Sequence, residues 1–512
     1  MTVTRADAVV IGAGPNGLSA AITLAEAGAD VVLCDSSDAP GGAVRTQELT
    51  IPGFRHDTFS SVFPAAAASP VFARWPLADH GLTWVHPEVA LAHPFEDGTA
   101  AGLYRDMERT VASLEACAPG DGAAWEEFAS PLMASYPSLR RTMIGGWVPV
   151  RGPLGLLRDL GIHGALDLVR VVLLSASRLS EELFTSTHSR AWLAGSCLHG
   201  DVAADEAGSA IIGTYLQLLG HGAGWPSPRG GAQALADALA GYFTSLGGQI
   251  RLGERVSRVI TADGKTAGVQ LEGGDRIRAN TVVATVTPHG LLELTEEALP
   301  LGYRRRMARY RYGPGTVKVD WALDDPVPWT APEVREAGTV HVGGDVRALV
   351  DAQAQVRDGD LPDEPFLLFG QQSVADPTRT PEGKHAAWAY TRTPRGLRLS
   401  AAEVEAFADR MDAQVERFAP GFGHRVLARH VLAPRDLESR NENLPEGDVG
   451  GGTYALDQMV FRPVAGLSPY RTPVEGLYIG SAATFPGGAV HGAPGHAAGR
   501  LAAAEARLRR WW

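Results

Sequence analysis

Cysteine is scarce in this chain. Three cysteines occur in 512 residues, and no two of them form a C-x-x-C pair. A disulfide framework, a zinc site and a dithiol redox centre need more cysteines or closer ones, so we expect none of these and no metal site. Cys34 lies within a predicted buried strand, where a cysteine is typically a small core residue.

Excess positive charge and long apolar runs are missing as well. The net charge is −12, which argues against general binding to nucleic acid. No run of 18 apolar residues occurs, so we expect no transmembrane helix. The N-terminal stretch has no charged-then-apolar leader, and we therefore expect no signal peptide and a cytoplasmic location.

What is present is an ordinary globular composition, 45% hydrophobic and 20% charged. A chain of this length is expected to hold two or three domains. The 60 glycines and 34 prolines indicate many turns and close backbone approaches.

The stretch from Asp7 to Asp35 predicts a strand, a glycine-rich turn, a helix and a second strand. The apolar run Ala8 to Ile11 is typical of a buried parallel strand. Apolar residues at helical spacing follow, and Gly28 ends the predicted helix. A second apolar strand, Val31 to Cys34, leads into Asp35.

The turn in this stretch has the G-x-G-x-x-G spacing. Its first glycine allows the tight turn, the second lets the backbone approach a pyrophosphate, and the third lets helix and strand pack closely. The helix N-terminus attracts phosphates, and the acid after the second strand can bind a ribose diol. The alternative is a glycine-rich loop in an ordinary α/β domain. The predicted contacts are Gly12, Gly14, Pro15, Asn16, Gly17 and Asp35.

A second glycine pair, Gly41-Gly42, follows the acid, and Arg45 stands three positions further on. A nicotinamide-only enzyme has no obvious need for this pair. The longer dinucleotide FAD does, because the glycines admit its extended body and Arg45 can face a phosphate. A solvated loop arginine is the alternative for Arg45.

These blocks, with the following run Pro52 to Asp57, resemble the N-terminal FAD signature of the flavin amine oxidase and phytoene dehydrogenase superfamily. Residues 228 to 288 resemble that family's second FAD segment, in which a strand lays its backbone against the adenine. By position Val256 is that contact. The resemblance implies FAD as the cofactor, bound non-covalently because no cysteine follows Cys197 to form a cysteinyl link in the C-terminal motif.

The C-terminal block resembles the same family's flavin-binding motif. A strand ends near Ser481, and a glycine-rich turn then opens an Ala-rich helix that runs to about Arg507. Backbone N–H groups in such a turn suit a ribityl chain and a pyrimidine ring. Most relatives carry aspartate where Ser481 stands, so a charged acceptor is lost here. The predicted contacts are Gly480, Ser481, Gly487, Gly488, Ala489 and Val490.

Two further runs, residues 376–390 and 456–463, resemble a narrower branch, the phytoene dehydrogenase-like proteins with the pyridine nucleotide-disulfide oxidoreductase domain-containing type. The resemblance implies an α/β fold with two discontinuous domains. A Rossmann-type FAD-binding domain, built on a doubly wound parallel sheet, comprises residues 1–60, 221–298 and 441–512. An α+β substrate-binding domain, of mixed sheet plus helices, comprises residues 61–220 and 299–440.

Two stretches of the substrate region, Ala112 to Tyr136 and Leu157 to Leu183, are predicted to be helical. The second is apolar with occasional charges, so peripheral membrane contact is one interpretation. Packing around a substrate cavity is favoured, because the polar face lacks the Lys/Arg richness of interfacial helices. The terminal Arg509-Arg510-Trp511-Trp512 allows the same two interpretations, an interface contact or a packed end.

Two catalytic candidates stand out. Lys318 lies in Gly315 to Leu323, which alternates like a strand and resembles the strand on which amine oxidases place a lysine water-bridged to flavin N5. The alternative is an edge-strand lysine that points into water. His491 lies in the flavin-binding turn and is an acid–base candidate, with a loop histidine bonded to backbone as the favoured alternative.

The expected function is FAD-dependent dehydrogenation of a carbon–carbon bond in a rather apolar small molecule, by hydride transfer to N5, with double-bond isomerisation as a close variant. One alternative is an amine oxidase that releases hydrogen peroxide. It normally needs two aromatic side chains flanking the amine, for which Trp388 and Tyr454 are candidates. A non-catalytic FAD-binding subunit is the other alternative.

Overall fold

A computed structural model describes residues 3–147, 149–296 and 298–509. The terminal block Arg509-Arg510-Trp511-Trp512 lies outside the residues whose side chains are described, so neither of its two interpretations is tested.

The strands are β1 Val3–Arg5, β2 Ala8–Ile11, β3 Val31–Cys34, β4 Thr46–Gln47, β5 His56–Asp57, β6 Trp84–Val85, β7 Val89–Pro94, β8 Ala100–Leu103, β9 Ser227–Pro228, β10 Gln249–Arg251, β11 Val256–Ala262, β12 Lys265–Leu271, β13 Arg276–Arg278, β14 Thr281–Ala284, β15 Gly315–Leu323, β16 Ala337–Val342, β17 Leu367–Gly370, β18 His385–Thr393, β19 Val426–Leu432 and β20 Leu477–Ile479.

The helices are α1 Pro15–Glu26, α2 Pro64–Ala67, α3 Met107–Cys117, α4 Asp121–Ala134, α5 Tyr136–Ile144, α6 Arg151–Leu173, α7 Ala176–Leu183, α8 Thr187–Cys197, α9 Ser209–Ala223, α10 Gln233–Ser245, α11 Pro288–Thr295, α12 Leu301–Met307, α13 Val346–Asp358, α14 Ala401–Phe418, α15 Pro434–Arg440, α16 Leu456–Met459 and α17 Ala493–Arg509.

A parallel sheet in the order β10-β3-β2-β14-β20 forms the nucleotide-binding part. Its central strands are buried on both faces, which explains their uninterrupted apolar runs. On one face Val10, Leu33 and Val283 share a core with α1, α10 and α17. On the other face the strands pack against a second sheet, β1-β13-β12-β11. The expected α/β fold with a parallel nucleotide-binding sheet is confirmed.

A mixed sheet in the order β19-β15-β18-β17-β16-β7-β8 forms the second part. One face packs against α14 through a core that includes Trp321, Phe369 and Phe407. The other face meets α8 near Leu368 and otherwise borders the cavity described below. Strands from residues 89–103 and 315–432 share this sheet, as the predicted discontinuous division requires, although the domain boundaries stay a prediction.

The helical predictions were right in type and wrong in continuity. The stretch Ala112 to Tyr136 contains the second half of α3, all of α4 and the first residue of α5. Between α3 and α4, Gly120 adopts a positive φ of 95°, which is not helical, and caps the start of α4. The stretch Leu157 to Leu183 contains most of α6 and all of α7, and Gly161 bends α6 with φ 68° and ψ −178°. Within the described part of the chain, no helix is long and apolar enough to cross a bilayer.

Candidate cofactor and substrate site

One large cavity, of about 1300 Å³, extends from the carboxyl edge of the parallel sheet to the mixed sheet. Most residues that the sequence analysis singled out lie on its wall. These are Gly12, Gly14, Pro15, Asn16, Gly17, Asp35, Gly42, Val256, Lys318, Ser481, Gly488, Ala489, Val490 and His491. The remaining predicted residues do not line it: Gly41, Arg45, Gly480 and Gly487.

The glycine turn after β2 has the geometry that its sequence predicts. Gly12 adopts φ +100°, and a Cβ on Gly17 would lie 1.7 Å from the Gly12 carbonyl oxygen. No side chain caps the N-terminus of α1, and the buried Oδ1 of Asn16 has no partner among the described residues. Unpaired N–H groups at a helix N-terminus attract phosphate, so this end of the cavity suits a pyrophosphate.

Asp35 sits at the end of β3 on the cavity wall. Its carboxylate accepts hydrogen bonds from the backbone N–H of Ala13, at 2.6 Å, and of Ser37, at 2.7 Å. Each carboxylate oxygen keeps a lone pair, so Asp35 can hold the turn and still accept from a ribose hydroxyl. Val256, at the start of β11, is buried and lines the same end.

The second glycine pair packs against the first. Gly41 N–H donates to the Ala13 carbonyl at 2.9 Å, and a Cβ on Gly42 would lie 3.1 Å from the Cα of Gly14. Arg45 forms an ion pair with the exposed Asp38 instead of facing the cavity. This contact favours the loop-arginine alternative over a phosphate ligand.

The C-terminal turn closes the opposite wall. A Cβ on Gly480 would lie 2.7 Å from Ala498 Cβ, so the end of β20 and α17 approach closely there. Ser481 is buried, and its Oγ accepts from Ala483 N–H at 3.3 Å. Ala489 and Val490 both adopt positive φ, 75° and 51°. Such strained backbone in residues with a Cβ clusters at functional sites.

His491 lies on the cavity wall, but its ring serves the turn. Nδ1 accepts from Ala493 N–H at 3.2 Å. Burial lowers the pKa of this histidine to about 4, and a backbone hydrogen bond at Gly488 opposes that effect. The ring is therefore neutral at pH 7 and held by backbone, which favours the loop-histidine alternative over an acid–base role.

Lys318 does not point into water. It lies on β15, between β18 and β19, and 3% of its side chain is exposed. Its Nζ pairs with Asp320, two positions along the same strand, and lies 5.9 Å from the ring centroid of Trp388. The edge-strand alternative is therefore wrong, and Lys318 is a buried cation on the cavity wall.

Asp320 has a further neighbour, His56, whose Nδ1 lies 3.6 Å from the carboxylate. Burial lowers the pKa of His56 to about 4, Asp320 raises it and Lys318 lowers it. The histidine is therefore neutral at pH 7, and the charges of Lys318 and Asp320 compensate each other. The arrangement keeps a lysine ammonium in place beside the cavity.

A second buried ion pair, Asp57 with Arg379, was not found from the sequence. Asp57 also accepts from Thr46 Oγ1 at 2.7 Å and from Ala232 N–H at 2.8 Å. The pair joins residues 322 positions apart, so no local sequence pattern could predict the contact. It fixes the segment after the second glycine pair to the mixed-sheet part.

Aromatic side chains surround the inner end of the cavity. Trp388 and Tyr390 project from β18 with their rings stacked, 6.0 Å between centroids, and Tyr454 lies on the turn side, where its hydroxyl accepts from Gly488 N–H at 2.7 Å. All three line the cavity. Gln458 and Arg462, from the run 456–463, donate hydrogen bonds to backbone carbonyls and do not line the cavity.

Beyond these rings the cavity is mainly apolar. Its lining there comes from α5, α6 and α9, and includes Met143, Ile144, Val172, Ile211, Tyr215, Leu216 and Leu219. The wall thus combines an anion-binding helix terminus, a ribose-binding acid, a strained turn, a buried cation and an apolar compartment. Together these features fit an extended dinucleotide such as FAD and leave space for an apolar molecule beside its reactive end.

Comparison with known proteins agrees with this geometry. The family model for flavin containing amine oxidoreductase matches residues 16–506. Pyridine nucleotide-disulfide oxidoreductase domain-containing protein 2 of Rattus norvegicus is 29% identical over 97% of this chain and 93% of its own length. A limonene dehydrogenase subunit of Castellaniella defragrans is 24% identical over 100% and 96%. Phytoene desaturase (neurosporene-forming) of Rhodobacter capsulatus is 27% identical over 94% and 91%.

Solved structures show the same fold. An oxidoreductase from Methanosarcina mazei superposes with a TM-score of 0.60 at 17% identity, over 98% of this chain and all of that chain. Wild-type putrescine oxidase bound to putrescine gives a TM-score of 0.60 at 17% identity, over 99% and 100%. The glycine turn after β2, the N-terminus of α1 and Asp35 form what we call the nucleotide cradle. The chain is an FAD-dependent oxidoreductase, and it belongs to the family of flavin containing amine oxidoreductases.

Proposed function

We propose that the protein dehydrogenates a carbon–carbon bond of a rather apolar small molecule. The observation that carries the proposal is the apolar lining from α5, α6 and α9, which belongs to the same cavity as the buried Lys318 and the strained turn. An apolar wall gains free energy by enclosing hydrocarbon, roughly 25 cal/mol per Å² of apolar surface removed from water. It offers little to a charged amine.

The names of two relatives point in the same direction. One is named a subunit of limonene dehydrogenase and the other a phytoene desaturase. These names belong to those proteins, and they support the reaction class proposed here without identifying the substrate.

The FAD that the nucleotide cradle would hold supplies the chemistry, because its N5 accepts a hydride from the substrate. The residues of the chain provide position and charge. The α1 N-terminus and Asp35 would hold the dinucleotide, and Lys318 would stabilise negative charge that develops near the reactive end. Trp388 and Tyr390 limit where the substrate can lie. Double-bond isomerisation in the same cavity is a close variant.

We also propose that α6 contacts a lipid surface, from which an apolar substrate would enter. Large apolar side chains of α6 and the residue before it are exposed: Val150, Leu154, Leu157, Ile162, Leu166, Val169 and Leu173. The same helix contributes Pro153 and Val172 to the cavity wall, so α6 borders both the surface and the cavity. Co-sedimentation with phosphatidylcholine vesicles tests this contact, and binding that survives replacement of Leu166 and Val169 by Ser would contradict it.

The first experiment is an absorbance spectrum of the purified protein, followed by anaerobic addition of candidate substrates. Bands of oxidised flavin that bleach with an apolar alkene, and return with a suitable acceptor such as oxygen or a quinone, are the expected result. A colourless protein that takes up no FAD would overturn the proposal, and so would bleaching by amines alone.

An amine oxidase is the second candidate, because Trp388 and Tyr454 line one cavity, as a pair flanking an amine would have to. It predicts hydrogen peroxide release with an amine panel, and no release across that panel would remove it. A non-catalytic FAD-binding protein is the third, and it predicts bound flavin that neither alkenes nor amines reduce. Reduction by either class would remove that alternative.

A further inference from the structure

Three histidines that the proposed reaction does not use lie together beside the cavity. His341 is on β16 and His93 on the neighbouring β7, and both are fully buried. His199 follows α8 and lines the cavity. His199 Nε2 and His341 Nε2 are 2.9 Å apart, so the two rings share a hydrogen bond. The rings of His93 and His341 are perpendicular, 6.0 Å between centroids.

The registers of the mixed sheet place His341 in the same row as Lys318. Lys318 pairs with Tyr390 across β15 and β18, Tyr390 with Leu368, and Leu368 with His341. Residues paired across neighbouring strands project from the same face of a sheet. The row therefore runs from the buried cation at the cavity to the far strands.

The remaining nitrogens of the two inner rings face one point. Nδ1 of His341 and Nδ1 of His93 are buried, and neither has a hydrogen-bond partner among the described residues. Gly195 of α8 lies opposite, and a Cβ there would be 2.9 Å from His341 Nδ1 and 3.2 Å from His93 Nδ1. A buried polar atom left unpaired costs about 1–3 kcal/mol. Because the two atoms are not hydrogen-bonded to each other, their position beside one glycine indicates a link through one water molecule.

The hydrogen bonds have a consistent direction. His93 Nε2 must donate to the Gly344 carbonyl, 2.7 Å away, because a carbonyl only accepts. Nδ1 of a neutral His93 is then an acceptor for a bridging water. In the direction from the cavity outwards, His341 donates to that water from Nδ1 and accepts at Nε2 from His199. The chain of donors runs from the cavity to Gly344, whose backbone is partly exposed next to the exposed Asp345.

We propose that His199, His341 and His93 form a proton relay between the cavity and the surface at Gly344. The inference rests on the proposed function. There a –CH₂–CH₂– unit becomes –CH=CH–: a hydride with its electron pair reduces FAD to FADH⁻, and the adjacent carbon releases one proton. That proton has no stable place in an apolar compartment. The relay takes it up at His199, and His93 releases one from Nε2 to solvent beside the partly exposed Gly344, so no net charge accumulates.

The surroundings keep the relay from trapping a proton. Burial lowers the pKa of His93 to about 4 and that of His199 to about 3. Each ring is therefore neutral at pH 7, with one nitrogen that accepts and one that donates. The charged or titratable neighbours are Arg392 at His199, and His188 and Asp345 at His93.

The test uses the FAD-loaded protein and needs no substrate. A reduced viologen radical delivers electrons without protons, so reduction of FAD to FADH⁻ by two radicals consumes one proton from solvent. Stopped-flow records flavin absorbance and a pH indicator together. His341→Phe removes the middle relay nitrogens, and Gly195→Ala places a methyl group between the two Nδ1 atoms. Both should slow proton uptake by about 10²-fold, the lower end for a positioned proton-transfer group.

The matched control is Phe366→Leu, which changes the packing 5.5 Å from the His341 ring and removes no titratable nitrogen. It should take up protons at the wild-type rate. Wild-type rates in both relay variants, with FAD retained, would overturn the relay and leave the proposed function intact.

Wild-type protein gives an answer that does not depend on how the variants fold. The proton-uptake rate is plotted against the fraction of deuterium in the solvent. A relay moves several protons and should give a curved plot, and a straight line would overturn the inference. A protein that binds no FAD would overturn both proposals.

Discussion

Replacing Lys318 by Met tests the buried cation most directly. The substitution keeps the length of the side chain and removes the ammonium that pairs with Asp320, a carboxylate with no solvent exposure. Breaking a buried ion pair from one side costs about 3–5 kcal/mol, because the other charge stays buried and unpaired. We expect a loss of that size in the free energy of unfolding of the FAD-loaded protein, measured by urea denaturation.

The pH dependence of this loss follows from His56, which faces Asp320 at 3.6 Å. Burial, and to a lesser extent Lys318, lowers the pKa of His56. Removing Lys318 therefore raises that pKa, and a protonated His56 can then compensate Asp320. The destabilisation caused by Lys318→Met should be smaller at pH 5 than at pH 8.

A double variant separates stability from catalysis. Adding Asp320→Asn removes the unpaired charge, so most of the lost stability should return. If Lys318 acts electrostatically at the flavin, both the single and the double variant should lose about 10²- to 10³-fold in turnover or flavin reoxidation. Wild-type rates in the double variant would refute the catalytic role. A stability loss below about 1 kcal/mol in the single variant would refute the buried pair itself.

Further predictions concern other buried residues and residues of the cavity wall. Asp35→Ala should weaken FAD retention on gel filtration, whereas the exposed neighbour Asp38→Ala should not; equal retention would count against the ribose role. Gly17→Ala should prevent folding of the glycine turn and FAD binding, because its Cβ would lie 1.7 Å from a carbonyl oxygen, and a flavin-loaded variant would contradict that geometry. His56 and His491 are neutral in the folded protein, because burial lowers the pKa of each from 6.5 to about 4. Below pH 6.5 the unfolded chain binds protons that these buried rings do not. Stability should therefore fall between pH 6.5 and 4, by about 1.4 kcal/mol per pH unit for each such histidine, and denaturation at pH 7 and 5 checks this.

The sequence predicted the strand, turn and helix at the start of the parallel sheet because the signals for them are local. A tight turn, a close helix and an acid at a strand end each impose a residue type within a few positions, as Gly12, Gly17 and Asp35 show. The capping box of Ser400 with Glu403 at the start of α14 is an equally local pattern.

The sequence could not show contacts that depend on strand order. Whether Lys318 lies on an edge or an inner strand is decided by β18 and β19, whose residues are more than 60 positions away along the chain. The row from Lys318 to His341 arises from three strand registers. The pairing of Asp57 with Arg379 is equally non-local, so it cannot be predicted from local patterns in the sequence.

The close contact between α1 and α17 has a consequence for how the protein is made. A Cβ on Gly495 would lie 1.7 Å from the Asn16 carbonyl oxygen, so the first helix is seated directly against the last. The parallel sheet is also incomplete until β20 is present, because β20 forms one of its edges. While the ribosome is still elongating the chain, the glycine turn therefore emerges early but stays incomplete until β20 and α17 have been synthesised. Loading with FAD then follows the synthesis of α17, and a nascent chain stalled before α17 would expose the apolar side of α1 to chaperones and proteases.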